Sequence, residues 1–469
     1  MIVGNTAAAD AADAVVIGAG HHGLVAASML ADAGWDVLVL EAQPEPGGAV
    51  RSAELTPGYI TDLFSSYYPM TVASPAIAAL RLEEHGLQWS HAPAVVGHPR
   101  SGADDDPPIV YHDPARTAAE FARREPADGE NWWRIVQLWE RIKSPLLDAM
   151  LAPFPPVRPL LRLLAELGTS EAIRVARLLV QPANTMASEL FSGEAPRVLL
   201  LGNAMHADAP PDAPISGAMG FLMTMLAQDG GWPVPVGGSG QLTAALVNRA
   251  RFAGARIECN HNVSHIHVRG GRAVGVTTAE GRTVRARRAI VADVTAPRLF
   301  CDMLPADAVP PKLRRDLEHF VWDPPVVKVN YALRGPVPWR ARSLQGVGTV
   351  HLGADGDGLV RWMADLNTRT VPEHPFMLLG QTTTADPTRS PAGTESVWAY
   401  THLPRNVADD ASAERLAESV DRVIEEHAPG FGAAVIDRFV QRPSDLEASD
   451  ANLHLGALNG GTEIGRAHV

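Results

Sequence analysis

The residues of this chain best spaced to do chemistry are Gly18, Gly20 and Gly23, followed by Glu41. In the run Gly18-Ala19-Gly20-His21-His22-Gly23 the first glycine permits a tight turn. The second lets backbone approach a pyrophosphate, and the third lets a helix pack closely on a strand. Unpaired N–H groups and partial positive charge at the helix start would receive the phosphates. His21 and His22 contribute backbone there rather than acid–base chemistry. Glu41 stands where an acid accepts hydrogen bonds from both ribose hydroxyls of an adenosine. A second glycine pair, Gly47-Gly48, with Arg51 just beyond it, follows the acid directly. Such a cradle suits flavin adenine dinucleotide (FAD), which runs on past its adenosine, better than a nicotinamide dinucleotide. The plain alternative is a surface turn, since Gly-Gly after Pro46 is also ordinary turn chemistry.

These residues need a frame. Asp13 to Ile17 reads as a buried strand, Leu24 to Ala33 as a helix ending near Gly34, and Asp36 to Leu40 as a second strand. Later, Gly237-Gly238-Ser239-Gly240 leads into a helix from Leu242 to Phe252. Then follow Ala255 to Glu258 and a meander of Asn262 to Val268, Ala273 to Thr278 and Thr283 to Ala286, with a further buried strand at Ala289 to Ala292. Between these parts the character changes. From Asn131 to Gly168 the apolar residues Trp132, Trp133, Trp139, Leu146, Leu147, Met150, Leu151 and Phe154 imply core helices, broken at Pro145, Pro153, Pro155, Pro156 and Pro159. A membrane-surface face or an entry tunnel for an apolar substrate is the other reading of that segment. Further strands are expected at Val326 to Leu333 and Val397 to His402.

The fold class is therefore α/β: a Rossmann-like, doubly wound FAD-binding domain with an α+β substrate domain inserted into it. The FAD-binding domain takes residues 10–90 and 231–300, and the substrate domain takes 91–230 and 301–450. The chain's 469 residues leave room for two or three domains. A net charge of -13, with no basic stripe to offset it, argues against nucleic acid and an anionic membrane surface. No apolar run is long enough to span a bilayer, and the residues from Met1 to Asp10 have no secretory or mitochondrial signature, so cytoplasm is the default. Two cysteines, Cys259 and Cys301, stand far apart, which excludes a disulfide scaffold and a redox-active pair.

Several later stretches carry a resemblance. Pro57-Gly58-Tyr59 through Asp62 to Ser65, Gly237-Gly238-Ser239-Gly240 and Lys328-Val329-Asn330-Tyr331-Ala332-Leu333 are three of them. Gly335-Pro336, Pro338-Trp339 and Asp386-Pro387 through Trp398-Ala399-Tyr400-Thr401-His402 are others. With the glycine loop they make the chain resemble the phytoene dehydrogenase-like FAD-dependent oxidoreductases, amine oxidase-like in fold. Within them it is similar to a branch named for a pyridine nucleotide-disulphide oxidoreductase domain, although disulphide reduction needs a cysteine pair that is missing here. The resemblance implies oxidation of an organic small molecule by hydride transfer to flavin; an amine, a polyene or another apolar C–H donor all stay open, an apolar substrate being expected, with oxygen or a quinone as acceptor. A non-catalytic flavin-binding regulatory protein and a carotenoid (phytoene) desaturase proper are the alternatives. It also implies that Val263 lends backbone to the adenine and that Asp62 to Tyr68 lie beside the flavin ring. Lys328 would then stand near flavin N5 and polarise a water, assisting reoxidation. The plain alternative is a strand lysine with its head in solvent.

His206 and Asp208, beside Asn203, Pro210 and Pro211, are expected in an active-site loop, with His206 a catalytic candidate alongside Lys328 and Asp62. His261, His265 and His267 share the parity of one strand face with Cys259, but a solvated face is expected there and no metal. Ser239 has no nucleophile elbow around it. Flavoproteins of this type close with a glycine-rich segment and a helix, and here the chain stops shortly after Gly460-Gly461-Thr462. The final Glu463-Ile464-Gly465-Arg466-Ala467-His468-Val469 can be encoded by GAG ATC GGA AGA GCA CAC GTC, which reads into a common sequencing adapter. A non-native tail over 463–469, replacing a longer natural end, is expected.

Overall fold

The computed structural model describes residues 10–152 and 155–460. The expected tail over 463–469, the start of the chain before Asp10, and Pro153 and Phe154 lie outside them.

A six-stranded sheet carries the nucleotide end of the molecule. Its centre is the strand Ala11–Ile17, paired in parallel with Val37–Leu40 on one side and Thr283–Ala292 on the other. Val37–Leu40 and the Ala14 to Ile17 part of the central strand read as unbroken apolar runs because both faces are covered. Helix His21–Asp32 packs on one face beside helix Ser239–Phe252, with Leu24, Ala27 and Ala31 in one apolar cluster with Leu242, Leu246 and Ala250. Arg256–Glu258 extends one edge and the hairpin Val263–Arg269/Arg272–Thr278 the other. The two strands expected at Thr283 to Ala286 and Ala289 to Ala292 are one. Thr283 to Arg285 pair antiparallel with the hairpin while Arg285 to Ala292 pair in parallel with Ala11–Ile17, so the chain stays extended throughout.

The second sheet has seven strands. Ala94–Gly97 and Ile109–Val110 lie at one edge, next to Val347–Leu352, Met377–Gln381, Glu395–His402, Val326–Leu333 and Val435–Gln441. Helix Asp410–His427 covers one face. Its apolar residues Ala413, Leu416, Ala417, Val420, Val423 and Ile424 recur at helical spacing and meet Val329, Tyr331 and Leu379. Asp409 caps its first turn by accepting from the Ser412 N–H.

A helical layer, Pro126–Leu151, Val157–Val180, Ala183–Leu190, Glu194–Ala204 and Ser216–Asp229, lies over the other face. Trp132 and Trp139 are buried there, and the Trp132 indole N–H donates to Gln228 Oε1 at 2.9 Å. Trp133, Met150 and Leu151 are exposed instead of joining the core. Pro145 does not break its helix: Pro126–Leu151 runs through it, the ring buried, with one backbone N–H forgone. Pro159 sits in the first turn of the next helix, where its missing N–H has no intrahelical partner to lose.

Candidate active site and cofactor cleft

Two cavities adjoin along the N-terminal end of helix His21–Asp32, sharing His21, His22, Ala49, Leu453, Leu458 and Asn459 as walls. One, of about 750 Å³, is lined by Gly18, Gly20, Glu41, Gly48, Val263, Asp293 and Asp450 among others. The glycines build this cleft. Gly18 turns with φ +96°, and a Cβ on Gly23 would stand 2.2 Å from the Gly18 carbonyl oxygen, so helix and turn meet only as glycines. Gly20 and Gly47 form a backbone bridge, which brings the second glycine turn onto the first.

The helix start already behaves as an anion site, since the Gly23 N–H donates to Asp293 Oδ2 at 2.9 Å. Burial raises the pKa of Asp293 and lowers that of His21 to about 4, so His21 is neutral at pH 7. His22 is largely exposed. Glu41 is buried and accepts from the N–H groups of Ala19 at 2.6 Å and Gln43 at 2.8 Å, which fixes its carboxylate at the cleft floor. Val263 lines the cleft at the start of its strand. The donor set, the close-approach glycines and the length of the paired cavities fit an extended dinucleotide. Arg51 is not part of that lining: its guanidinium donates to the carbonyls of Gly48 and Ser449, and so braces the loop from behind.

The second cavity, of about 800 Å³, opens from the first and is walled by Tyr67, Trp232, Val326, Leu378, Trp398 and Tyr400, with Lys328, His206, Ser65, Ser66 and Thr349 among its polar groups. Among the described residues its lining contains no aspartate or glutamate. Trp398 and Tyr400 stack with ring centroids 5.9 Å apart. Lys328 is buried, not solvated. Its Nζ donates to the carbonyls of Asp62 and Phe64, and burial lowers its pKa to about 7, the charges of Asp62 and Arg389 acting in opposite senses. His206 donates or accepts at His351 Nε2, 3.2 Å away.

The Asp62 carboxylate does not line the cavity; it is fully buried in a bracket. It accepts from Ser52 Oγ at 2.8 Å and the Ser239 N–H at 2.7 Å and pairs with Arg389. Arg389 also donates from Nε to Asp386 Oδ2 at 2.9 Å, and Asp386 takes the Gly237 N–H at 2.7 Å. Asp62 thus positions the Gly237–Gly240 turn and leaves contact with a substrate to other residues. Arg389, His98 and His351 were not singled out from sequence, because none sits in a local pattern. Asp208 pairs with His402 at 3.1 Å. His261, His265 and His267 bond separately, to Arg282, Ser264 and Thr277, and no three ligating side chains gather for a metal among the described residues. Cys259 and Cys301 are free thiols.

A profile of the family described as flavin containing amine oxidoreductase matches residues 23–398, and the chain belongs to that family. It is an FAD-dependent oxidoreductase of small molecules, phytoene dehydrogenase-like within its class. Pyridine nucleotide-disulfide oxidoreductase domain-containing protein 2 of Rattus norvegicus is 28% identical over 93% of this chain and 82% of its own length. Hydroxyneurosporene desaturase of Cereibacter sphaeroides is 29% identical over 69% of this chain and 64% of its own. A putrescine oxidase structure superposes with a TM-score of 0.60, covering 94% of this chain and 87% of that one, at 14% identity, a likeness of fold. No helix among the described residues is long and apolar enough to cross a membrane.

Proposed function

We propose that the chain oxidises an uncharged, largely apolar organic molecule bound in the 800 Å³ cavity. The observation that carries this is that no carboxylate lines the cavity among the described residues. A substrate ammonium buried there would have no counter-ion and would meet Lys328 instead, and an unpaired buried charge is strongly disfavoured. Trp398, Tyr400, Leu378 and Val326 supply apolar contact and exclude water. The relative named for hydroxyneurosporene desaturation agrees with an apolar substrate.

The bound flavin supplies the hydride acceptor. In this reading Gly18, Gly20, His21, His22 and Gly23 hold its pyrophosphate, Glu41 its ribose and Val263 its adenine, while Gly48 borders the path between the cavities. Lys328 stands at the cavity wall as a buried amine able to hold a proton there. Oxygen or a quinone is the electron acceptor, and the cytoplasm is the proposed compartment.

Anaerobic titration of the FAD-loaded protein tests the substrate class. Neutral polyenes and terpenoid alcohols are expected to bleach the flavin band, and putrescine and cyclohexylamine are expected to leave it unchanged. Bleaching by the amines alone would overturn the proposal.

A further inference from the structure

An acid sits on the glycine turn where a dinucleotide's phosphates are expected. Asp293 directly follows the strand Thr283–Ala292, and its Oδ2 accepts from the Gly23 N–H at 2.9 Å. The same oxygen lies 2.9 Å from where a Cβ on Gly20 would stand, and 3.3 Å from the corresponding point on Gly23. Its backbone is anchored on both sides. The Asp293 N–H donates to the Ile17 carbonyl at 2.8 Å, and Asn452 Nδ2 donates to the Asp293 carbonyl at 3.2 Å. The carboxyl therefore stays over the turn.

The cleft around it is short of cations. Arg298 is the one arginine among its described lining residues, none of them is a lysine, and Arg298 Nη1 donates to Asp302 Oδ2 at 3.1 Å. Glu41 is tied to the Ala19 and Gln43 N–H groups at the cleft floor. Asp450 comes from the segment after helix Pro443–Ser449, its Oδ2 3.3 Å from where a Cβ on Gly48 would stand, and the charge of Arg51 reaches it. His21 and His22 border the cleft from the helix, but His22 Nδ1 is 3.8 Å from Asp293 Oδ1, too far for a hydrogen bond. A diphosphate seated on this helix start would meet an ionised Asp293 in a partly buried cleft, where like charges repel. A neutral carboxyl reverses the contact. It keeps an oxygen for the Gly23 N–H and has a hydrogen to give to a phosphate oxygen. Burial already raises the Asp293 pKa, against the Gly23 N–H and His22, which favour the charged form.

We propose that Asp293 binds the cofactor's diphosphate as a neutral acid, taking one proton from solvent as the cofactor docks. The complex then holds a proton that the free protein lacks. Affinity therefore falls as pH rises between the carboxyl's pKa in the free protein and its higher pKa in the complex, by at most about tenfold per pH unit. The inference rests on the reading that the Gly18–Gly23 turn receives the diphosphate.

Two measurements decide it. Calorimetric titration of the full chain, freed of flavin, in buffers of different ionisation heat counts the protons taken up per ligand bound. At pH 7 the expected uptake is about one proton with FAD and with ADP-ribose, and none with adenosine, which lacks the diphosphate. In Asp293→Asn the amide keeps an acceptor for the Gly23 N–H and offers N–H in place of O–H. There the uptake is expected to vanish, and FAD to bind at pH 8 at least as tightly as to the natural protein. Uptake that survives in Asp293→Asn assigns the proton to His22 or Asp450 and overturns the proposal. FAD binding to the natural protein with no uptake overturns it too, needs no variant, and leaves the reading of the glycine turn intact. Failure of both FAD and ADP-ribose to bind overturns that reading and the proposal together. The second measurement keeps the flavin in place. In the FAD-loaded protein at pH 7, infrared subtraction of Asp293→Asn from the natural protein is expected to show the C=O stretch of a neutral carboxylic acid, and a carboxylate band in its place overturns the proposal.

Discussion

Arg389 Nη1 and Asp62 Oδ2 lie 3.0 Å apart with neither side chain exposed, and Asp386 closes the bracket on the other side of the guanidinium. Three remote segments, the Ser52–Thr56/Tyr59–Asp62 hairpin, the Gly237–Gly240 turn and the turn at Pro387–Arg389, meet at these charges. Removing one partner from such a pair leaves an uncompensated buried charge. Arg389→Met is therefore expected to cost about 3–5 kcal/mol in urea unfolding. Adding Asp62→Asn to that variant should restore part of the loss, and a double variant no more stable than Arg389→Met would contradict the pairing.

Gly23 is set by space. In Gly23→Ala the new Cβ would stand 2.2 Å from the Gly18 carbonyl oxygen, which is backbone and cannot step aside. The helix start must shift, and the phosphate-facing N–H groups shift with it. The flavin-to-protein absorbance ratio of purified Gly23→Ala is expected to fall at least several-fold; an unchanged ratio would mean that this turn does not hold the cofactor.

Lys328 makes stability depend on pH in a defined sense. Its folded pKa is about 7, pulled down from 10.5 by burial. Between those values the unfolded chain binds a proton that the folded chain does not, so stability from this group rises with pH across that window and is lowest below it. The difference in melting temperature between the natural protein and Lys328→Met should therefore rise, in favour of lysine, from pH 7 to pH 10. A flat difference would show that the ammonium is not held in a dry site.

Trp132 separates stability from cofactor binding. Its ring is buried against Phe121, centroids 4.9 Å apart, and its N–H satisfies Gln228. Trp132→Phe keeps most of the apolar bulk and leaves Gln228 Oε1 short of a donor, a loss of about 1–3 kcal/mol by chemical denaturation. Flavin content of the folded fraction should be unchanged, because Trp132 lines neither cavity.

The cofactor end was legible in the sequence because its logic is local. Gly18, Gly20, Gly23 and Glu41 act through a turn, a helix start and a strand end within one supersecondary unit, and spacing alone announces them. Lys328 was placed by its strand, but its burial and its carbonyl partners come from the Asp62–Phe64 segment and have no sequence signal. Asp62 shows the opposite failure. An acid next to the expected flavin site looked reactive, while its partner Arg389, distant in the chain, takes the charge. His98 and His351 were hidden for the same reason: they come from distant segments, and only tertiary packing brings them beside His206.

The central strand Ala11–Ile17 has one neighbour, Val37–Leu40, made almost at once and another, Thr283–Ala292, made much later. During synthesis the first unit must wait on the ribosome with one edge of apolar strand unpaired while the helical layer and much else emerge. Non-local parallel pairing is slow, and exposed strand edges invite aggregation. Yield in a foreign host should then be governed by how long Ala11–Ile17 waits for its second partner, which makes slowed translation or added chaperone a better remedy than any change at the cavity.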